Sequence, residues 1–237
     1  MVDAAGIAQS LAEIRARIER ACAQSGRDPR LVTLVAVSKT HPPESIRAAY
    51  EAGQRDFGEN YAQELAAKRA ALADLTELRW HFIGALQSNK AKLVVPGCEL
   101  VHAVDRESVA EALGRRAAAA GVVAEALVEV NVGDESSKAG VPIDQAEALV
   151  RQWSNVPSLR LRGLMCVPPP CDTPDDARPY FRRLRTLRDT IGASWPGLDL
   201  LLMGMSGGFE AAVAEGSTHV RVGSAIFGAR VTVRETR

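Results

Sequence analysis

The chain has 237 residues, with 29 basic and 29 acidic side chains and a formal net charge of zero. That balance removes the bulk attraction that draws basic proteins to nucleic acid or to anionic membranes. Apolar residues make up 46% and charged residues 24%, an ordinary globular composition, and no apolar run approaches the roughly 18–20 residues of a membrane span.

Residues 5–25 are predicted to form a helix. Ile7, Leu11, Ile14, Ile18 and Cys22 recur at steps of three and four with Arg and Glu between them, and Gly26 and Pro29 end the run. This N-terminus is charged throughout and lacks the apolar core of a secretory signal, so a cytoplasmic protein is expected. Eight strand segments follow, at 31–39, 55–60, 79–84, 100–105, 124–132, 159–167, 198–204 and 219–224. Several are rich in Val and Leu without strict alternation, the pattern of parallel strands covered on both faces. Each is followed by a helical stretch. Pro42-Pro43, Pro142 and Thr173-Pro174 open three of these, Ser88 and Asp105 are candidate caps of two others, and the last, about 208–215, is short. Eight βα units in roughly 200 residues predict a (β/α)8 TIM barrel over 31–230 behind the N-terminal helix, one domain in all. An open doubly wound sheet is the alternative; no GxGxxG follows the first strand to favour its dinucleotide-binding form.

In such a barrel the chemistry sits at the C-terminal ends of the strands. Those ends carry Lys39, Glu59-Asn60, His81 through Gly84, Asp105, Asn131, Met165, Met205-Ser206 and Gly223-Ser224. Only five of the 29 basic residues are Lys (39, 68, 90, 92 and 138), so the place of each is informative. Lys39 shares a strand face with Leu31, Thr33, Val35 and Val37. A desolvated amine there would attack an aldehyde; a buried Lys neutralised by a carboxylate is the other reading. Gly204-Met205-Ser206-Gly207-Gly208 and Gly223-Ser224 follow strands seven and eight, where barrels commonly hold a phosphate. Tight turns alone would also account for these glycines. Arg221 lies within strand eight and needs either a salt-bridge partner or a ligand atom. Lys, phosphate site and Arg together make the set that a pyridoxal 5′-phosphate (PLP) pocket requires. Cys22, Cys98, Cys166 and Cys171 form no CxxC pair and no zinc-ligand spacing, so reduced thiols and no metal are expected.

The segments AVSKTHP (36–42), FGENYAQE (57–64), WHFIGALQSNK (80–90), VNVGDESSKAG (130–140), LRGLM (161–165), GMSGGFEAAVAEGST (204–218) and VRVGSAIFGAR (220–230) resemble the pyridoxal phosphate homeostasis protein family, related to the barrel domain of alanine racemase. The resemblance implies that Lys39 is the Schiff-base lysine. It implies that Ser206, Gly207, Gly223 and Ser224 hold the phosphate and that Arg221 faces the pyridine nitrogen. It implies that Asn60, His81 and Met165 line the pocket. Lys138 corresponds to a lysine near the mouth, a candidate relay for PLP. The family often has an acidic residue after GMS, where this chain has Gly207-Gly208, and commonly Thr at position 224. The implied role is to buffer PLP and supply it to apoenzymes, without robust turnover.

Two other functions stay open on the residues: a racemase-like PLP enzyme, and a Schiff-base aldolase or sugar-phosphate isomerase acting on a phosphorylated substrate. Against the racemase, the resemblance to alanine racemase implies a separate C-terminal domain carrying the opposing tyrosine, and none is expected in the seven residues after Arg230. A monomer is expected.

Overall fold

The computed structural model describes residues 3–135 and 138–228. Helix α1 (Ala4–Gln24) matches its expected span; Asp3 caps it by accepting from the Gly6 amide at 2.9 Å, and Ile7, Leu11, Ile14, Ile18, Ala21 and Cys22 form its buried stripe. The strands of the barrel are β1 (Thr33–Val37), β2 (Asp56–Glu59), β3 (Arg79–Phe82), β4 (Leu100–Val104), β5 (Ala124–Asn131), β7 (Leu159–Met165), β8 (Leu200–Leu202) and β9 (His219–Val222). Every neighbouring pair is parallel, and pairing of β4 with β5 closes the circle. The two-residue strand β6 (Val141–Pro142) adds to β5 outside the ring. It was not expected, because Pro142 reads as a helix opener, and it is that as well: α6 (Ile143–Trp153) begins immediately after it.

The outer layer comprises α2 (Pro43–Glu51), α3 (Ala62–Ala71), α4 (Ala91–Val94), α5 (Glu107–Ala119), α6, α7 (Arg178–Gly192) and the short α8 (Phe209–Ala214) and α9 (Ser224–Phe227). Helix α1 packs outside the ring against α2, α8 and α9. Arg17 anchors it to α8 through Glu210 and lies 4.6 Å over the Phe209 ring. The caps depart in part from expectation. Thr173 forms a capping box with Asp176. Ser88 sits inside a 3-10 turn, and Asp105 instead pairs with Arg106 at 2.6 Å.

Two cores result from the layering, as parallel strands covered on both faces require. The larger lies between strands and helices and holds Phe57, Trp153, Phe181 and Phe209; the smaller fills part of the barrel interior with Leu100, Ala103, Leu127, Met165 and Leu202. The seam between β8 and β9 has little regular ladder, and side chains complete it. The buried Ser217 hydroxyl accepts from the Met203 amide at 3.0 Å and lies 2.7 Å from the His219 carbonyl. Gly204, at φ +81°, ends this seam: a Cβ there would stand 2.6 Å from that of Ala212, so α8 packs close only because the position lacks one.

Candidate functional site

A cavity of about 300 Å³ opens at the C-terminal end of the barrel, at the lower end of the ~300–1,000 Å³ typical of small-ligand sites. Val37 and Lys39 line it from the end of β1, His41 and Asn60 from the loops after β1 and β2, and Ile83 and Val167 from just beyond β3 and β7. Met205 and Ser206 come from the loop after β8, and Arg221, Gly223, Ser224 and Gly228 from β9 and α9.

Lys39 reaches the cavity because the β1 ladder runs one residue past the strand: the Ser38 amide donates to the Gly58 carbonyl at 3.0 Å. Lys39 therefore continues the inward face of Val35 and Val37. Leu31, expected on that face, instead belongs to a 3-10 turn at Pro29–Leu31 and is 63% exposed. Arg221 is buried yet opens onto the cavity, and among the described residues its guanidinium has no hydrogen-bond or ion-pair partner. Burial pulls its pKa below the ordinary guanidinium range, while the buried carboxyl of Glu129 acts on it from a distance in the opposite sense. Among the described residues, the structural salt bridge that the sequence left open is thus not formed. Ser206 and Gly223 are brought together from two loops: the Gly223 amide donates to the Ser206 hydroxyl at 3.3 Å. A Cβ on Gly223 would stand 3.3 Å from both Cβ and the carbonyl oxygen of Val37, a tight fit that keeps this loop close to the end of β1.

The alanine racemase N-terminal domain matches residues 9–231 of the chain. The pyridoxal phosphate homeostasis protein of Pseudomonas aeruginosa is 46% identical over 224 residues, covering 94% of this chain and 96% of its own length. That of Aquifex aeolicus is 42% identical over 223 residues, with 94% and 97% covered. The chain belongs to the pyridoxal phosphate homeostasis protein family. PipY of Synechococcus elongatus, solved with PLP bound, superposes with a TM-score of 0.83 at 39% identity, covering 94% of this chain and 100% of PipY. Alanine racemase from Corynebacterium glutamicum shares the fold, with a TM-score of 0.70 at 14% identity over 98% of this chain and 63% of that one.

Of the positions singled out by family resemblance, Lys39, Asn60, Ser206, Arg221, Gly223 and Ser224 meet around one cavity. Four others do not line it. His81 lies one layer lower inside the barrel, with Nδ1 2.9 Å from Nε2 of His102 and Nε2 3.1 Å from Asp56; the next inward residue of that strand, Ile83, lines the cavity instead. Met165 is likewise one step low on β7, packed on Leu127 and Leu202, and Val167 takes the cavity position. Gly207 turns away to line a second cavity of about 410 Å³, which also holds Lys138 and shares Val167 and Met205 with the first. Lys138 pairs there with Glu135 at 2.7 Å. Its neighbours Ser136 and Ser137 lie outside the described residues. His41 was missed, although it stands two residues past Lys39 in AVSKTHP; it is buried, with its ring 5.1 Å from that of Phe227.

The family's acidic residue after GMS would fall, in GMSGD, on Gly208. That glycine is the N-cap of α8 and supplies no side-chain hydrogen bond to it.

Proposed function

We propose that this chain binds PLP in the barrel-top cavity, attached through the Lys39 amine, and serves to hold and deliver the cofactor rather than to turn over a substrate. The observation that carries the reading is Arg221. A buried guanidinium without a protein partner is costly, and here it faces a cavity that also presents an amine and two serine hydroxyls. An acceptor on the ligand would satisfy it, and a pyridine nitrogen is such an acceptor. The family membership and the PLP-bound relative support the same choice.

When bound, PLP supplies an aldehyde carbon for an amine to attack and a ring that can delocalise negative charge. The roles of the chain's own groups follow. Lys39 provides the amine. Ser206, Ser224 and the Gly223 backbone would hold the phosphate by hydrogen bonds. Arg221 can only donate, so it would hydrogen-bond an unprotonated ring nitrogen and favour a ring that draws electrons weakly. The described lining residues include no carboxylate and no tyrosine, which supports retention of the cofactor over racemisation. On this reading the recipients are PLP-dependent apoenzymes, and the chain acts as a monomer.

The test uses two variants, read by PLP absorbance and affinity, and a racemase assay. The wild-type protein mixed with PLP should shift the cofactor's absorbance to longer wavelength and keep it after free PLP is removed. Lys39→Ala should leave PLP's own absorbance unshifted yet still bind PLP reversibly through the phosphate and ring contacts. Arg221→Met should bind at least about tenfold more weakly, the worth of a charge-assisted hydrogen bond. Sustained conversion of L- to D-alanine by the PLP-loaded protein would overturn the non-enzymatic part.

A further inference from the structure

A buried ion network sits directly behind Lys39, and none of its side chains lines the cavity. Lys68, on α3, is almost wholly buried, with its ammonium 2.8 Å from Glu59, 2.7 Å from Glu64 and 2.8 Å from the Ser38 carbonyl oxygen. All three N–H donors are therefore used. The other contacts run to the two residues that flank Lys39. The Ser38 hydroxyl donates to Glu59 at 2.6 Å, and the Thr40 amide donates to Glu64 at 2.7 Å. Thr40 has φ +67°, a left-handed backbone that a β-branched residue avoids unless its surroundings enforce it.

We propose that Lys68, with Glu59 and Glu64, is a positioning cluster that clamps the backbone on both sides of Lys39 and so aims its amine into the cavity. Each contact has a place in this arrangement. The Lys68–Ser38 bond fixes the carbonyl just before Lys39. Glu64 fixes the amide just after it and holds Thr40 in its left-handed turn. Glu59 is the last residue of β2, directly before Asn60, so the cluster also ties the ends of β1 and β2 to each other. A solvent-exposed lysine–glutamate pair would contribute little. Buried and aimed at backbone atoms, this one restricts where the neighbouring side chain starts. The scarcity of lysine in the chain fits: a second lysine near the site has a separate task from the first.

This inference rests on Lys39 being the attachment point, and the experiment separates the two. The rate at which PLP becomes attached is compared with the affinity for pyridoxine 5′-phosphate, which has the same ring and phosphate but no aldehyde. In Lys68→Met and Glu64→Ala the attachment rate should fall by on the order of 10- to 100-fold, the effect of misplacing a reacting group by about an ångström. Affinity for pyridoxine 5′-phosphate should change less than about twofold, because its contacts lie on β9 and the loop after β8. Glu64→Gln, which keeps an acceptor for the Thr40 amide, should recover part of the rate. Glu64 is partly exposed and opens a helix that alanine suits, so its variant keeps the fold even if Lys68→Met does not. Unchanged attachment in Glu64→Ala, or a parallel loss of both quantities, would overturn the positioning role. A wild-type protein that binds both compounds but does not attach PLP would instead overturn the assignment of Lys39.

Discussion

Arg221 shows how one side chain can be a liability to the fold and an asset to the site. Its guanidinium has no protein partner among the described residues and loses solvation in the barrel. Removing the charge while keeping the length should therefore stabilise the ligand-free protein. Arg221→Met is expected to gain about 1 kcal/mol, a rise in Tm of roughly 3 °C for a chain of this size, measured by thermal unfolding without PLP. On the proposed function the same variant should lose PLP affinity, the usual exchange between stability and function at a preorganised site. A drop in apo Tm would mean that Glu129 already neutralises the guanidinium. His81 and Met165 carry a different lesson. Alternation along a strand tells which face a residue takes but not its height in the barrel. Both residues face inward, and the next inward residues, Ile83 and Val167, are the ones that reach the cavity. Lys39 and Arg221 were legible because their chemistry is conspicuous in apolar strands. Lys68 was not, since its partners come from a helix and from strand ends that only folding brings together.

At the scale of elements, the loop between β8 and α8 divides its glycines by role. Gly204 is required by its positive φ and by the close approach of α8, so Gly204→Ala should cost about 1–3 kcal/mol in denaturant unfolding. Gly208 is different. A Cβ there meets nothing nearer than 3.7 Å, and its N-cap position lacks a side-chain acceptor. Gly208→Asp, which restores the acidic residue common in the family, should add about 0.5 kcal/mol by capping α8 and complementing its dipole. A destabilised Asp variant would show that the glycine serves the cavity rather than the helix. Most helices and strands fall where periodicity and turn residues place them. The exceptions are local: β6, hidden under Pro142, and Leu31, drawn off β1 by the turn that Pro29 starts.

Over the whole molecule, the histidines below the cavity set a pH response. Burial pushes the imidazole of His102 down strongly, and burial together with His81 pushes that of His219 from its ordinary 6.5 to about 4. Between those values the unfolded chain takes up protons at both positions and the folded chain does not. Stability therefore falls as pH drops through this window, by up to about 1.4 kcal/mol per pH unit for each histidine. Asp56 acts in the same sense at lower pH: burial opposes it, but hydrogen bonds from Arg79 and His81 hold its carboxyl below the usual range. Glu59 and Glu129, pushed up by burial, work in the opposite direction just above pH 4.5 and make the slope shallower there. Urea unfolding should give a lower midpoint at pH 5 than at pH 7, and His102→Gln should reduce the difference. Equal midpoints would mean that the imidazoles are protonated in the fold.

The family, the closed barrel and the cluster of Lys39, Arg221 and the two serines around one cavity support one central proposal, that Lys39 holds PLP. Borohydride reduction of the PLP-loaded protein, followed by peptide mapping, tests it most directly. The account predicts one pyridoxyl group per chain, on Lys39. No adduct, or an adduct confined to Lys138 or another lysine, would contradict it.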